Sequence, residues 1–312
     1  MTTTVDVPTP VVDLRSPGVF WPVVTTTLAV ATVATVWSPP GWLSIAVIVT
    51  VIAVLGIPHG AVDHLVVEAI DGRRHRSHRR FVIAYLLAMA GVGLVWSVVP
   101  AFALAAFLAM SVYHFGQSDL AYLRLPGRRQ LVLQCSRGLL VVGLPIVAHL
   151  ATVAPVIERL GGGDPSSWPW LAERWWLWCV LLVGQHVVIG AAVTHRSIDR
   201  SVMAKEVITV AVLTLVFLLA DPLVGFAVYF GLWHSLGHLF VLADLLGSEP
   251  ASRRSVARFA APLSALSLFG LAVVVWGAAV AGKTDLLLPL IVVFVAMLTA
   301  PHMAVVERLW RR

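Results

Sequence analysis

Long apolar segments separated by short polar loops dominate the hydrophobic pattern of this chain. A helix that crosses a bilayer needs roughly 20 apolar residues, and windows of that kind predict about ten helices. The predicted helices lie at 19–37, 42–70, 81–98, 100–122, 132–152, 170–194, 203–220, 222–246, 258–281 and 284–308. The pattern therefore predicts an all-α fold, a polytopic transmembrane helical bundle.

The composition supports the same fold and a single domain. Of the 312 residues, 59% are hydrophobic and 12% are charged, and the mean hydropathy is +0.90. Because no linker or repeat divides the chain, we predict one transmembrane domain at 19–308 between terminal tails at 1–18 and 309–312. The first tail lacks the basic start of a secretory signal, so we expect the first apolar segment to be a retained span. Cys135 and Cys179 lie in apolar segments and are expected to be buried thiols.

Basic residues cluster in alternate loops, and the net charge is +6. The positive-inside rule places these loops in the cytoplasm, which predicts that both termini are cytoplasmic and that the chain lies in the cytoplasmic membrane. Short loops do not form the basic face of a nucleic-acid-binding module, so the expected partner is the lipid bilayer and not nucleic acid. The loop residues are Arg73, Arg74, Arg76, Arg79, Arg80, Arg124, Arg128, Arg129, Arg196, Arg200, Lys205, Arg253, Arg254 and Arg258.

Histidines supply the candidate chemistry inside the predicted helices. His234 and His238 are four residues apart, so a helix places both imidazoles on one face, where they can bind one metal ion. His59, His114 and His302 lie in three other helices that run in the same direction. Counted from the outer helix ends, all five lie at depths of roughly 18 to 25 Å. Side chains at one depth can converge inside a bundle, so we predict a shared site.

The residues around His59 indicate a pocket with a carboxylate beside it. Pro58 removes a backbone donor and is expected to kink the helix, and Gly60 lets another group approach. Asp63, one turn beyond His59, has two interpretations that the sequence leaves open. It either accepts the second imidazole N–H of a metal ligand or pairs with His64 near the cytoplasmic end of the helix.

His186 is the strongest competitor among the other histidines, because it lies at a similar depth. It has no local motif beyond the neighbouring Gln185, so we expect it to form hydrogen bonds. The remaining histidines are expected in loops or near helix ends, in contact with solvent or the membrane interface: His75, His78, His149 and His195.

The ligand type narrows the chemistry without fixing the metal. Imidazole suits zinc, copper and iron, while the absence of His-Glu-x-x-His argues against a zinc protease. Four neutral imidazoles around Fe(II) would leave two octahedral positions available. A facial-triad oxygenase also needs a carboxylate ligand, and the absence of an obvious carboxylate at this depth argues against that class. The apolar surroundings favour a lipid-soluble substrate that enters from the bilayer.

Two other classes stay open at this level, and the sequence argues against a third. A membrane haem protein would use two of the histidines as axial ligands for electron transfer. A metal or proton transporter would carry histidines staggered in depth along a path. A di-iron hydroxylase or desaturase needs clustered His-x-x-His-His runs, which this sequence lacks.

Four motifs resemble a known family. They are Gly-Ile-Pro-His-Gly-Ala-Val-Asp-His at 56–64, Tyr-His-Phe-Gly-Gln-Ser-Asp at 113–119, Trp-His-Ser-Leu-Gly-His at 233–238 and Pro-His-Met at 301–303. In these motifs the chain resembles the Brp/Blh family, the bacteriorhodopsin-related membrane proteins of bacteria and archaea. The resemblance implies β-carotene 15,15′-dioxygenase activity, in which O2 cleaves the central double bond of β-carotene into two all-trans-retinal molecules. Retinal is the chromophore of microbial rhodopsins, so a functional link to a rhodopsin is implied.

The resemblance also implies the site. Fe(2+) would be bound by His59, His114, His234 and His238, and no side chain is assigned as an acid or base. Residues that match or adjoin the motifs without being ligands are expected to support the ligands or contact the substrate: Asp63, His64, His302, Tyr113, Phe115 and Trp233. The chain departs from the family pattern in an additional N-terminal span and a long outer loop near Gly161 to Gly163.

Overall fold

A computed structural model describes residues 14–71, 78–163, 169–194, 198–245 and 250–310. Within these ranges every regular element is helical. The α-helices are α1 (Pro17–Ala34), α2 (Gly41–Val51), α3 (Ile57–Ala61), α4 (Asp63–Asp71), α5 (His78–Val98), α6 (Pro100–Leu120), α7 (Arg128–Ala148), α8 (Leu150–Ile157), α9 (Pro169–Glu173), α10 (Trp175–Thr194), α11 (Arg200–Leu219), α12 (Pro222–Val228), α13 (Leu236–Leu245), α14 (Pro250–Val280) and α15 (Leu287–Trp310).

Some predicted features lie outside the described residues. They are the N-terminal tail up to residue 13, residues 311–312 of the C-terminal tail, and the loop residues Arg73, Arg74, His75, Arg76, His195 and Arg196.

Nine helical segments in the described part of the chain are long and apolar enough to cross a membrane. They correspond to nine of the ten predicted helices, and the all-α transmembrane fold class is confirmed. The remaining predicted helix, at 100–122, forms as α6 but is not among the nine, because polar residues such as Tyr113, His114 and Gln117 make its C-terminal half less apolar. The orientation of the termini stays a prediction.

The predicted helix at 42–70 is not continuous. A π-helical turn (Ile52–Gly56) separates α2 from α3, and the α-helical backbone breaks again at Val62 before α4. Pro58, which has no N–H to donate, follows this turn and prevents a regular hydrogen-bond ladder. The helix is therefore irregular on both sides of His59.

The predicted helix at 222–246 is interrupted in a similar way. It begins at Asp221, whose carboxylate caps α12 by accepting hydrogen bonds from the N–H groups of Leu223 (3.0 Å) and Val224 (3.3 Å). A second π-helical turn (Tyr229–Ser235) then joins α12 to α13. Such turns insert a residue into a helix and often occur at functional sites.

The two π-helical turns pack directly on each other. A Cβ atom on Gly56 would lie 2.7 Å from the Phe230 ring, and one on Gly231 would lie 2.9 Å from a methyl group of Val51. Glycine at both positions therefore allows a close approach between the segments that carry His59 and His234.

Other boundaries differ from the predictions by a few residues. The segment predicted at 132–152 ends as α7 at Ala148, where the non-helical backbone of His149 precedes α8. The expected outer loop near Gly161 is partly helical, because a π-helical turn (Glu158–Gly162) continues α8. The segment predicted at 170–194 is divided between α9 and α10, and the one predicted at 258–281 starts earlier, as α14.

Helices α6 and α7 cross in backbone contact. A Cβ atom on Gly116 would lie 1.7 Å from the carbonyl oxygen of Gln134, and one on Gly138 would lie 1.7 Å from that of Val112. Small residues permit this kind of crossing between membrane helices. The crossing fixes α6 at the level of His114, two residues before Gly116.

Candidate metal centre

Five imidazole rings meet in the interior of the bundle, each between 2% and 6% exposed. The ring centroid of His59 lies 5.0 Å from that of His302, 5.5 Å from that of His238 and 5.7 Å from that of His234. The centroid of His114 lies 5.0 Å from that of His234 and 5.2 Å from that of His302, and the His238 and His302 centroids are 5.5 Å apart. The structure thus brings together all five histidines that the sequence placed at one depth.

Several separate elements contribute to this histidine cluster. His59 lies on α3 just after the first π-helical turn, and His234 lies within the second. His114, His238 and His302 lie on α6, α13 and α15. The rings lie close to one another, whereas the transporter hypothesis predicted ligands spread along a path. This arrangement favours a single site.

Hydrogen bonds orient two of the imidazoles. Nδ1 of His59 lies 3.1 Å from the carbonyl oxygen of Leu55, and Nδ1 of His302 lies 2.9 Å and 3.0 Å from the two carboxylate oxygens of Asp63. Carbonyl and carboxylate oxygens accept hydrogen bonds, so Nδ1 carries the proton in both rings. Nε2 of each ring is then left with a lone pair, as a metal ligand requires.

The cluster contains buried nitrogen atoms that the described residues leave without a hydrogen-bond partner. They are Nδ1 of His114, His234 and His238, and Nε2 of His302. A buried polar atom without a partner costs free energy, typically about 1 to 3 kcal/mol. Coordination to a metal ion would satisfy such atoms.

The spacing of the rings fits a metal ion after a small movement. Two imidazoles that bind one ion through nitrogen have ring centroids roughly 4.5 to 5.5 Å apart, and the adjacent rings here are 5.0 to 5.7 Å apart. Among the described residues, no three His, Cys, Asp or Glu side chains already converge closely enough to hold an ion. Metal binding would therefore draw the rings slightly inward.

Asp63 contacts a histidine from a distant part of the chain. Its carboxylate accepts from His302, 239 positions away, and more distantly from the Tyr85 hydroxyl at 3.4 Å. The sequence analysis expected the partner of Asp63 to be a histidine of the same helix, either the nearby metal ligand His59 or the adjacent His64. His64 instead places Nδ1 3.0 Å from the carbonyl oxygen of Ala61 and its ring 6.4 Å from that of Phe81.

Tyr85 is a site residue that sequence reasoning missed. Its hydroxyl group donates to the backbone carbonyl of Leu298 (3.2 Å) in addition to Asp63, so it ties α5 to α15 beside His302. The available signal was a lone tyrosine near the start of an otherwise apolar predicted span.

The three aromatic candidates occupy different surroundings. Phe115 packs against the cluster, with its ring centroid 4.7 Å from that of His234. The Tyr113 hydroxyl donates to Glu307 (2.9 Å), which also accepts from Gln117 (2.8 Å). Trp233 faces α1, where its indole N–H donates to the Thr27 hydroxyl oxygen (3.1 Å). Of the three, the structure places only Phe115 against the cluster.

His186 and His149 lie outside the cluster. Nδ1 of His186 is 2.9 Å from the Ser136 hydroxyl oxygen on α7. Nε2 of His149, at the break between α7 and α8, donates to the carbonyl oxygen of Phe217 (2.8 Å). Both histidines have hydrogen-bond partners that join neighbouring helices.

An apolar cavity of about 770 Å³ reaches the histidine cluster. Its volume is within the range of roughly 300 to 1,000 Å³ that is typical of ligand pockets. His59, His114, His234 and His302 form part of its wall. Apolar side chains from many helices complete the wall, among them Ile48, Phe107, Phe115, Phe230, Leu263 and Leu298.

Fold and site together define a polytopic helical membrane protein with a buried histidine centre beside an apolar cavity. A family model described as beta-carotene 15,15′-dioxygenase matches residues 50–310, and the chain belongs to that family. The match covers all five clustered histidines, so the family resemblance of the four motifs is confirmed.

Two curated relatives agree with this family. The chain is 29% identical over 279 residues to the probable beta-carotene 15,15′-dioxygenase Blh of Halobacterium salinarum, an alignment that spans 81% of this chain and 80% of the relative. It is 28% identical over 280 residues to the beta-carotene 15,15′-dioxygenase of uncultured marine bacterium 66A03, spanning 86% and 94%. No solved structure matches the chain.

Proposed function

We propose that this chain cleaves the central 15,15′ double bond of β-carotene with O2 and releases two molecules of all-trans-retinal, using Fe(2+) bound by His59, His114, His234 and His238. The buried histidine cluster, four of whose rings line the apolar cavity, carries this proposal. Membership of the beta-carotene 15,15′-dioxygenase family supports it. Iron, when bound, would activate O2, which amino-acid side chains alone cannot do.

The protein's own residues act by binding and orientation. A long polyene has no polar group to hold, so the cavity must position it by shape, and its apolar walls also exclude water from the site. Phe115 and Phe230 line the cavity and pack on His234, with ring centroids 4.7 Å and 5.7 Å away. They can support the polyene beside the imidazoles. No side chain needs to donate or remove a proton in this reaction.

The substrate enters sideways from the bilayer in this proposal. Leu86 on α5 and Leu266 on α14 both line the cavity, yet they are 48% and 53% exposed. A side chain that faces both the cavity and the outer surface marks a place where the wall is thin. On a membrane-spanning bundle that surface faces lipid, where a carotenoid dissolves.

In this proposal the product also leaves the cavity through the lipid bilayer. Retinal is apolar and would pass into the lipid bilayer of the cytoplasmic membrane, where a microbial rhodopsin can take it up as chromophore. This functional link requires no contact between the two proteins.

Expression in a β-carotene-producing bacterium tests the proposed function. Wild-type protein should bleach the orange cells and yield retinal in extracts, and the purified protein should contain iron and lack a Soret band. His234→Ala should abolish retinal formation and lower bound iron, whereas the control His186→Ala should retain both. Unchanged carotene in cells with iron-loaded wild-type protein would reject the proposal, and a Soret band would favour the haem alternative.

A further inference from the structure

We infer that His302 is a fifth imidazole ligand of the metal and that Asp63 holds it in the ligating orientation; this inference rests on the proposed function. The four-histidine assignment does not include His302 among the ligands, although its ring lies as close to the others as theirs do to each other. Its centroid is 5.0 Å from that of His59, 5.2 Å from that of His114 and 5.5 Å from that of His238. His302 therefore lies within the cluster and not at its edge.

The hydrogen bonds of His302 determine which nitrogen is available. Asp63 accepts from Nδ1, so the lone pair is on Nε2, on the opposite side of the ring. Nε2 is buried and has no hydrogen-bond partner among the described residues, and the cavity wall includes this ring. A carboxylate that fixes the distal N–H of an imidazole is the usual arrangement behind a metal-bound histidine.

The negative charge of Asp63 also supports metal binding by His302. Its side chain is 3% exposed and accepts hydrogen bonds from His302 and Tyr85. A buried carboxylate is costly unless a positive charge lies nearby. Neutral imidazoles leave the two positive charges of a divalent ion uncompensated, and Asp63 would offset one of them through His302.

A fifth imidazole would change the space available for chemistry. Five protein ligands leave one position of an octahedron, whereas four leave two. The polyene would then be held by the cavity wall alone. His302 would limit access to the metal from its side.

Metal binding by purified variants tests the inference without relying on activity. His302→Gly should release iron to a chelator at least tenfold faster than wild type, and added imidazole should slow that release again. Asp63→Asn should weaken iron affinity roughly 10- to 100-fold, the usual effect of losing a partner of a ligand. The matched control is His186→Gly, which removes a buried histidine outside the cluster and should leave iron release unchanged with or without imidazole.

X-ray absorption at the iron edge of the wild-type protein keeps the test independent of variant folding. The wild-type spectrum should show five imidazole ligands. The spectrum of His302→Phe, which retains ring volume, should show one fewer. The inference would be overturned if the wild type showed four imidazole ligands. It would also be overturned if His302→Gly released iron at the wild-type rate and added imidazole had no effect. Either result would leave the proposed function intact. Wild-type protein without iron and without retinal production would reject the proposed function itself.

Discussion

The indole of Trp233 points away from the histidine cluster although the next residue, His234, belongs to it. Successive side chains on a helix differ in direction by about 100°. Trp233 therefore packs on α1, where its ring lies 6.2 Å from that of Phe20 and its N–H donates to Thr27. Its role in the structure is to dock the first helix.

Replacing this indole should affect stability and not metal binding. Trp233→Phe removes a buried hydrogen bond and should lower the free energy of unfolding by about 1 kcal/mol or more. Thermal unfolding in detergent measures the loss, and the ratio of iron to protein should stay at the wild-type value. Lost iron or lost retinal formation at wild-type stability would instead place Trp233 at the substrate.

Sequence reasoning found the clustered histidines and proposed Asp63 as an acceptor for a ligand imidazole, but it did not identify His302 as the partner of Asp63. Depth in a membrane is a property of position along a helix, so five histidines could be assigned to one layer. The direction of each side chain depends on how the helices rotate and pack, which the sequence does not contain. The bond between Asp63 and His302 joins residues 239 positions apart, and the contact between α5 and α15 through Tyr85 is equally non-local.

At the scale of elements, the crossing of α6 and α7 sets the position of His114. Gly116→Ala would push a Cβ atom into the Gln134 carbonyl oxygen, and backbone cannot rotate away as a side chain can. We expect a loss of about 1 to 3 kcal/mol or more, together with weaker iron binding as α6 shifts. Thermal unfolding and iron content measure the two effects.

Gly91→Ala is the matched control for this substitution. Gly91 lies inside α5 with nothing within 4 Å of the added Cβ atom. Alanine is the better helix former, so this variant should be as stable as wild type or more stable by up to about 1 kcal/mol. Equal effects of the two substitutions would show that the α6 crossing is not tight.

Substrate entry can be tested at the exposed part of the cavity wall. Leu86→Trp and Leu266→Trp should each obstruct the cavity and lower kcat/KM for β-carotene several-fold, with iron content unchanged. Leu87→Trp is the control, because Leu87 lies on the same helix as Leu86 and is 67% exposed but does not line the cavity. A substrate route elsewhere would leave all three variants at the wild-type rate.

Hydropathy predicted the order of the long helical segments but not their internal breaks. Apolar windows report how much of a segment favours lipid, which is why the segments at 19–37 and 203–220 closely match α1 and α11. They do not report hydrogen-bond register. The first break was predictable from Pro58, which lacks a backbone N–H. The π-helical turn Tyr229–Ser235 contains no proline and depends on packing against the segment before His59.

At the scale of the whole molecule, a buried network of charged groups joins three parts of the bundle. Glu206 on α11 accepts from Arg15, just before α1, at 2.7 Å, and from Arg137 on α7. The Tyr122 hydroxyl donates to the same carboxylate at 2.5 Å, and its ring lies 3.7 Å from the Arg15 guanidinium carbon. Burial acts to lower the pKa of Arg15, but Glu206 and Tyr122 raise it, and the net pKa lies above its ordinary value. Arg15 therefore stays charged.

Glu206 is the shared acceptor of this network, so its charge should matter to the stability of the entire bundle. Arg137 is 1% exposed, and Glu206→Gln would remove the carboxylate that forms its ion pair. Removing one partner of a buried ion pair typically costs about 3 to 5 kcal/mol, which unfolding in detergent would measure. Asp285→Asn is the control, because Asp285 meets Arg159 at 3.6 Å with both side chains largely exposed, and exposed pairs contribute little. If Glu206→Gln unfolds like wild type, the arginines find other compensation and the network does not hold α1, α7 and α11 together.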